Sequence, residues 1–118
     1  MTTTLLLDDP AWSYPGGTCR LRVWNNDAPG EGYTLAVLTQ PATAPGRSVT
    51  NAMDDIYPTL ETRWGTGVIV VQQTQHPDGA SEWEDIAEIN GTYRWYPAQL
   101  DDLAWSIGVP ATDLAGPR

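Results

Sequence analysis

The chain contains no lysine and no phenylalanine, a single cysteine, a single histidine and no long apolar run. One thiol, Cys19, excludes an internal disulfide and fits a reducing compartment, so a cytoplasmic protein is expected. One histidine, His76, excludes the paired-histidine zinc patterns. Leu5, Leu6 and Leu7 form the only apolar run near the N-terminus. No basic residue precedes them and Asp8-Asp9 follows, which is neither a signal-peptide pattern nor a membrane span. The glycines at 16–17 and at 65 and 67 lack the lysine and flanking order of a phosphate loop. Internal repeats and low-complexity tracts are absent, and no cofactor is implied.

Basic residues are also scarce. Six arginines face fifteen acids, a formal charge of −9. Contact with a nucleic-acid backbone requires a positive patch, so that class is excluded. The negative charge is uneven: residues 1–59 carry six acids and three arginines, residues 60–118 nine acids and three arginines. Seven of the acids fall between His76 and Asp102, where Arg94 is the only cation.

What the chain does contain is enough for one globular domain. Its 118 residues can bury roughly two-thirds of the surface that the unfolded chain exposes. Six Trp and five Tyr stand in for the missing Phe, and ten Pro with eleven Gly imply many turns. The organising stretch runs from Ser48 to Gln73. Val49, Ala52/Met53, Ile56, Leu60 and Trp64 recur at steps of three or four and predict an amphipathic helix. Ser48 or Thr50 can act as N-cap, Asp54 and Asp55 lie toward the positive end, and Arg63 precedes a C-terminal Gly65. Pro58 interrupts this pattern, so either one helix kinks near Tyr57 or a second helix begins there. The stripe keeps its phase across the proline, which favours the kink. Val68 to Val71 then reads as a strand buried on both faces.

Elsewhere, Thr2 to Leu7 is a candidate strand ended by Asp8-Asp9-Pro10, with AWSYPGG after it as a loop whose Trp12 and Tyr14 cover a core edge. TCRLRVW alternates, placing Cys19, Leu21 and Val23 on one face and Arg20, Arg22 and Trp24 on the other. Tyr33 to Thr39 is the next strand. QTQHPDGAS reads as a polar turn. For 81–96 two readings compete: a capping box from Ser81 and Glu84, or a hairpin about Asn90-Gly91 pairing Ile89 with Thr92, Ala87 with Arg94 and Ile86 with Trp95. We favour the hairpin. Pro97 suits the first turn of a last helix with Leu100, Leu103/Ala104 and Ile107 inward, stopped by Gly108 and Pro110, and residues 109–118 read as a loose tail. The expected fold is a single α+β domain over 1–118, a mostly antiparallel sheet of about five strands with two helices on one face, in the order ββαβββα with room for one more N-terminal strand.

Three functional readings follow. His76, Asp78, Glu82, Glu84 and Asp85 form the densest ionisable cluster, with Trp83 inside it. Its spacing matches no metal motif, and a solvated turn explains it simply. Arg20, Arg22 and Trp24 would form a cationic and aromatic platform for an anionic ligand if no helix covers them. The leading expectation is a small acidic protein-interaction module of inhibitor, immunity or regulatory kind, binding a basic partner by surface complementarity through Arg20, Arg22, Trp24, Glu82, Trp83, Glu84, Asp85 and Arg94. A carbohydrate or other small-ligand domain using Trp and Tyr platforms is the alternative. A hydrolase-like enzyme using His76 and Asp78 comes third. An uncovered face carrying Trp24, or an unpaired edge strand, would invite a symmetric homodimer.

Overall fold

Alternation along the central strands divides the core into two faces. The computed structural model describes residues 3–14, 17–26, 32–42, 53–65, 68–89 and 92–115. Strands β1 (Thr3–Tyr14), β2 (Gly17–Asn26), β3 (Tyr33–Pro41), β4 (Ile69–Gln75), β5 (Ser81–Ile89) and β6 (Thr92–Ala98) form one sheet in sequential order. All neighbours pair antiparallel except β3 and β4, which are parallel. A parallel pair needs a crossover, and α1 (Met53–Trp64) supplies it. Register places Leu21 beside Leu38 and Val23 beside Ala36 on one face, and Arg22 beside Val37 and Trp24 beside Leu35 on the other. The class is α+β, as expected, with six strands and three short helices among the described residues.

The helices are not gathered on one face. On the first face, Ile56 and Leu60 of α1 pack against Leu21, Val23, Ala36, Leu38 and Val70. On the second, Leu103 of α2 (Leu100–Ile107) and Leu114 of α3 (Ala111–Ala115) join Val109 over Trp24, Leu35, Val37 and Val71. A two-sided apolar sheet needs two covers. Complete burial of a side chain such as Leu60 or Leu114 contributes about 1.5–3 kcal/mol.

One helix spans Pro58. The ring removes a donor from the ladder, and tertiary contacts keep the helix whole: Ile56 and Leu60 are fully buried on either side of it. Tyr57 also donates its hydroxyl to the Val68 carbonyl at 2.9 Å. Gly65, at φ 97°, ends the helix in a conformation that side chains resist. Ser48, Thr50 and Val49 lie outside the described residues.

Several boundaries differ from expectation. Strand β1 does not end at Asp8-Asp9-Pro10 but continues to Tyr14, with a register shift between Asp9 and Trp12 that absorbs the proline. An edge strand tolerates a residue without an N–H, and β1 is at the edge. The hairpin at 81–96 forms with Ile89 opposite Thr92, Ala87 opposite Arg94 and Ile86 opposite Trp95; Asn90 and Gly91 lie outside the described residues. Pro97 belongs to β6, and α2 begins after an extended Gln99. Gly108 at φ 71° terminates α2, donating its N–H to the Ala104 carbonyl. Pro110 then opens a helix instead of stopping one, its carbonyl accepting the N–H groups of Asp113 and Leu114. Residues 109–115 are therefore no loose tail: Val109 and Leu114 are core.

Candidate functional site

Arg20, Arg22 and Trp24 share a face, but that face is roofed by α3. Arg22 is only 2% exposed. Its Nη1 donates to the Asp113 carbonyl at 2.8 Å, and its Nη2 donates to the Leu114 carbonyl and to Gln73 Oε1 at 3.1 Å. The guanidinium also lies 5.1 Å from the Trp24 ring centroid. Burial pushes Arg22 down to about 10, with the charge of Arg20 adding to the effect and Asp8 opposing it. A cation at the carbonyl end of a helix meets the negative pole of its dipole, so Arg22 acts as a clamp on α3. Arg20 lies nearer the surface and forms a two-pronged pair with Asp8, at 2.9 and 2.8 Å. That hydrogen bond holds the Asp8 carboxyl below its usual value. The cationic platform is thus closed: one arginine is paired and the other enclosed.

Gln73 is the hub of this face. Its Oε1 accepts Thr39 Oγ1 at 3.0 Å as well as Arg22, while its Nε2 donates to Ser81 Oγ at 3.1 Å and to the Ala115 carbonyl at 3.2 Å. Expected within a polar turn, Gln73 is instead fully buried in β4, as is Gln72. Burying an amide is costly unless each of its groups finds a partner. Here all four contacts tie strand, hairpin and C-terminal helix together.

Beside this hub a cleft of about 950 Å³ opens between the ends of β4, β5 and β6, the first residue of α2 and the last of α3. Gln73, Ser81 and Trp83 line it together with Ala98, Leu100 and Ala115. His76, Glu82 and Glu84 contribute its charged and titratable lining. The fold therefore brings together His76, Glu82, Trp83 and Glu84, four of the residues singled out by their density in the sequence. It leaves out Asp85, which is exposed and accepts the Ile86 N–H at 2.8 Å. Arg94 takes its place in β6 opposite Ala87, and its side chain is outside what is described.

At the rim, His76 Nε2 lies 3.3 Å from Glu82 Oε1, without the alignment of a hydrogen bond. Asp78 is not its partner. The Asp78 carboxylate accepts the Ala80 N–H at 2.9 Å, closing a turn in which the His76 N–H donates to the Ala80 carbonyl and Gly79 takes φ 92°. Adjacent strand positions face opposite ways, so Ser81, which bonds Gln73, and Glu82, which meets His76, diverge. The arrangement sets an imidazole beside a carboxylate without an aligned nucleophile. Cys19 supplies none either, because burial pushes its thiol up to about 12, helped by Asp9. No group of three or more His, Cys, Asp or Glu among the described residues could hold a metal ion. Likewise, no helix among the described residues is long and apolar enough to cross a membrane.

Comparison with known families, curated proteins and solved structures finds no match. The site therefore has to be read from its own chemistry. The sequence pointed to no site role for Gln73 and Ser81, whose contacts depend on the register of β4 against β3 and β5. Sequence reasoning also overlooked Trp105, which the periodicity of the last helix could have revealed, since Leu100, Leu103 and Ala104 define a stripe that excludes it.

Proposed function

We propose that the protein is a small acidic interaction module of inhibitor, immunity or regulatory kind, whose cleft receives a basic segment of a protein partner. One observation carries the reading: the ionisable residues along the cleft lining are Glu82 and Glu84 with His76, and no described arginine is among them. An open cleft lined by one sign of charge raises the local concentration of oppositely charged groups and speeds encounter. The net charge of −9 acts in the same sense. A lone buried thiol suits a reducing compartment, so the reading puts the module in the cytoplasm.

The test compares the wild-type chain with a Glu82→Gln/Glu84→Gln double variant in pull-downs at low and high salt. A partner bound through the cleft is retained by the wild type at low salt, released at high salt and lost from the variant. Equal retention by both proteins would sink the cleft as the contact surface.

A second reading, a binding site for a carbohydrate or similar small ligand, draws on the size of the cleft and on Trp83 in its lining. Small-ligand sites span roughly 300–1,000 Å³. Trp83 is buried in the second core cluster, which leaves little ring surface for stacking and places this reading behind the first. A melting-temperature screen against mono- and oligosaccharides separates the two, since only the second expects stabilisation by an uncharged sugar.

A further inference from the structure

Trp105 is 88% exposed, the most exposed large apolar side chain among the described residues. Its place on α2 explains why the core does not take it. Successive residues turn by about 100° around a helix, so Trp105 lies about 200° from the inward Leu103. Asp101 and Asp102, four and three residues earlier, flank it on the helix surface and are themselves exposed. Neither α2 nor α3 has a basic residue in its last turn. The other described surface arginines are engaged elsewhere, Arg20 with Asp8 and Arg63 over the Trp64 ring at 4.5 Å. An indole bordered by two carboxylates, with no described cation of the chain laid over it, is a receptor for a planar cation.

We propose that the outer face of α2 anchors an arginine-bearing segment of a protein partner, with the guanidinium stacked on Trp105 and bonded to Asp101 and Asp102. Guanidinium groups stack on indole and bond carboxylates in the same geometry, which ammonium groups do less well. Tryptophan is among the residues that most often dominate an interface. A second copy of this chain is a poor occupant, because a two-fold contact would set the aspartates of each copy against one another. The proposal rests on the reading of a basic partner and adds an anchor outside the cleft. Leu100 lines the cleft, and Trp105 follows about 7.5 Å further along the helix axis.

The experiment titrates the ¹⁵N-labelled full chain at low salt with an acetylated, amidated Arg-Gly repeat peptide and with its Lys-Gly counterpart. The Trp105 indole N–H is assigned by its absence from the Trp105→Ala variant. The expected result is a shift at that indole and at the α2 amides. Affinity for the arginine peptide falls about ten-fold in Trp105→Ala and is largely recovered in Trp105→Phe. Asp101→Asn/Asp102→Asn also weakens binding, and the lysine peptide binds less tightly. Unchanged affinity in Trp105→Ala overturns the anchor. If shifts are then confined to Ser81, Trp83 and Ala98, and Glu82→Gln/Glu84→Gln abolishes them, the cleft reading survives alone. Absence of shifts at both surfaces overturns both.

Discussion

On one face of the sheet, Leu21, Val23, Ala36, Leu38 and Val70 meet Ile56 and Leu60 of α1 in a contact made by apolar side chains. On the other, Trp24, Leu35, Val37 and Val71 share the surface with Arg22, Thr39 and Gln73, and the cover consists of two short helices. The first cover is a single helix of 12 residues. The second combines 8 residues with 5, and a five-residue helix is far too short to hold itself together. Its three last carbonyls are secured by side chains from the sheet, two by Arg22 and one by Gln73. A face can therefore be closed by hydrophobic area alone or by a smaller apolar contact reinforced with a buried polar clamp. The first face is not free of polar groups either: Gln40, Gln72 and Thr74 are buried near its end, where Gln72 Nε2 donates to Thr74 Oγ1 at 3.4 Å. That bond joins two positions of one strand and fastens no helix.

The contrast can be broken most forcefully by truncating one apolar contact on each face. Leu60→Ala and Leu114→Ala should each cost about 3 kcal/mol in urea unfolding. Similar losses would mean that the short C-terminal helix is as much a part of the core as α1. A loss under about 0.5 kcal/mol for Leu114→Ala, the value of a surface position, would return 109–115 to the status of a tail.

A smaller effect is expected from Arg22→Met, which keeps much of the side-chain volume but removes the donors to the Asp113 and Leu114 carbonyls. We expect a loss of about 2 kcal/mol. Amide exchange should become faster at 111–115 while α1 stays protected. Replacing a buried charge with an apolar group can also be neutral. Unaltered stability would show that apolar contact alone holds α3.

The smallest effect belongs to the exposed pair. Asp8→Asn should cost about 0.5 kcal/mol near neutral pH, in the range of surface ion pairs. The folded Asp8 carboxyl titrates below its unfolded value. Its contribution is therefore fully present above the unfolded pKa, about 3.9, and is lost as pH falls through the folded value. The gap between wild type and Asp8→Asn should close on acidification below about pH 4. A gap that persists there would assign the loss to packing.

Much of this fold was legible because it depends on local periodicity. The alternation of Cys19, Leu21 and Val23 against Arg20, Arg22 and Trp24 predicts both faces of β2. The stripe Ile56–Leu60–Trp64 predicts α1 across Pro58, and the Asn90-Gly91 signal predicts the pairing of Ile86 with Trp95. The candidate site was only partly legible. Crowding of His76, Glu82, Trp83 and Glu84 within a few residues pointed to the cleft, because residues close in sequence at a strand end stay close in space. Asp78 and Asp85 were equally close in sequence and did not join, since the Asp78 carboxylate closes a turn and Asp85 lies further along β5 than the lining residues. The platform of Arg22 and Trp24 was correctly placed on one face, yet its cover lies 91 residues away in the chain.

By itself, then, the sequence determined which residues alternate, where the long helix runs and where negative charge accumulates, all of which follow from side-chain spacing and composition. Only the tertiary structure decided that α2 and α3 cover the face opposite α1 and that Gln73 and Arg22 are buried. Those outcomes depend on pairings between distant segments. A glutamine or an arginine reads as solvent-facing until a strand from elsewhere supplies partners for its polar atoms.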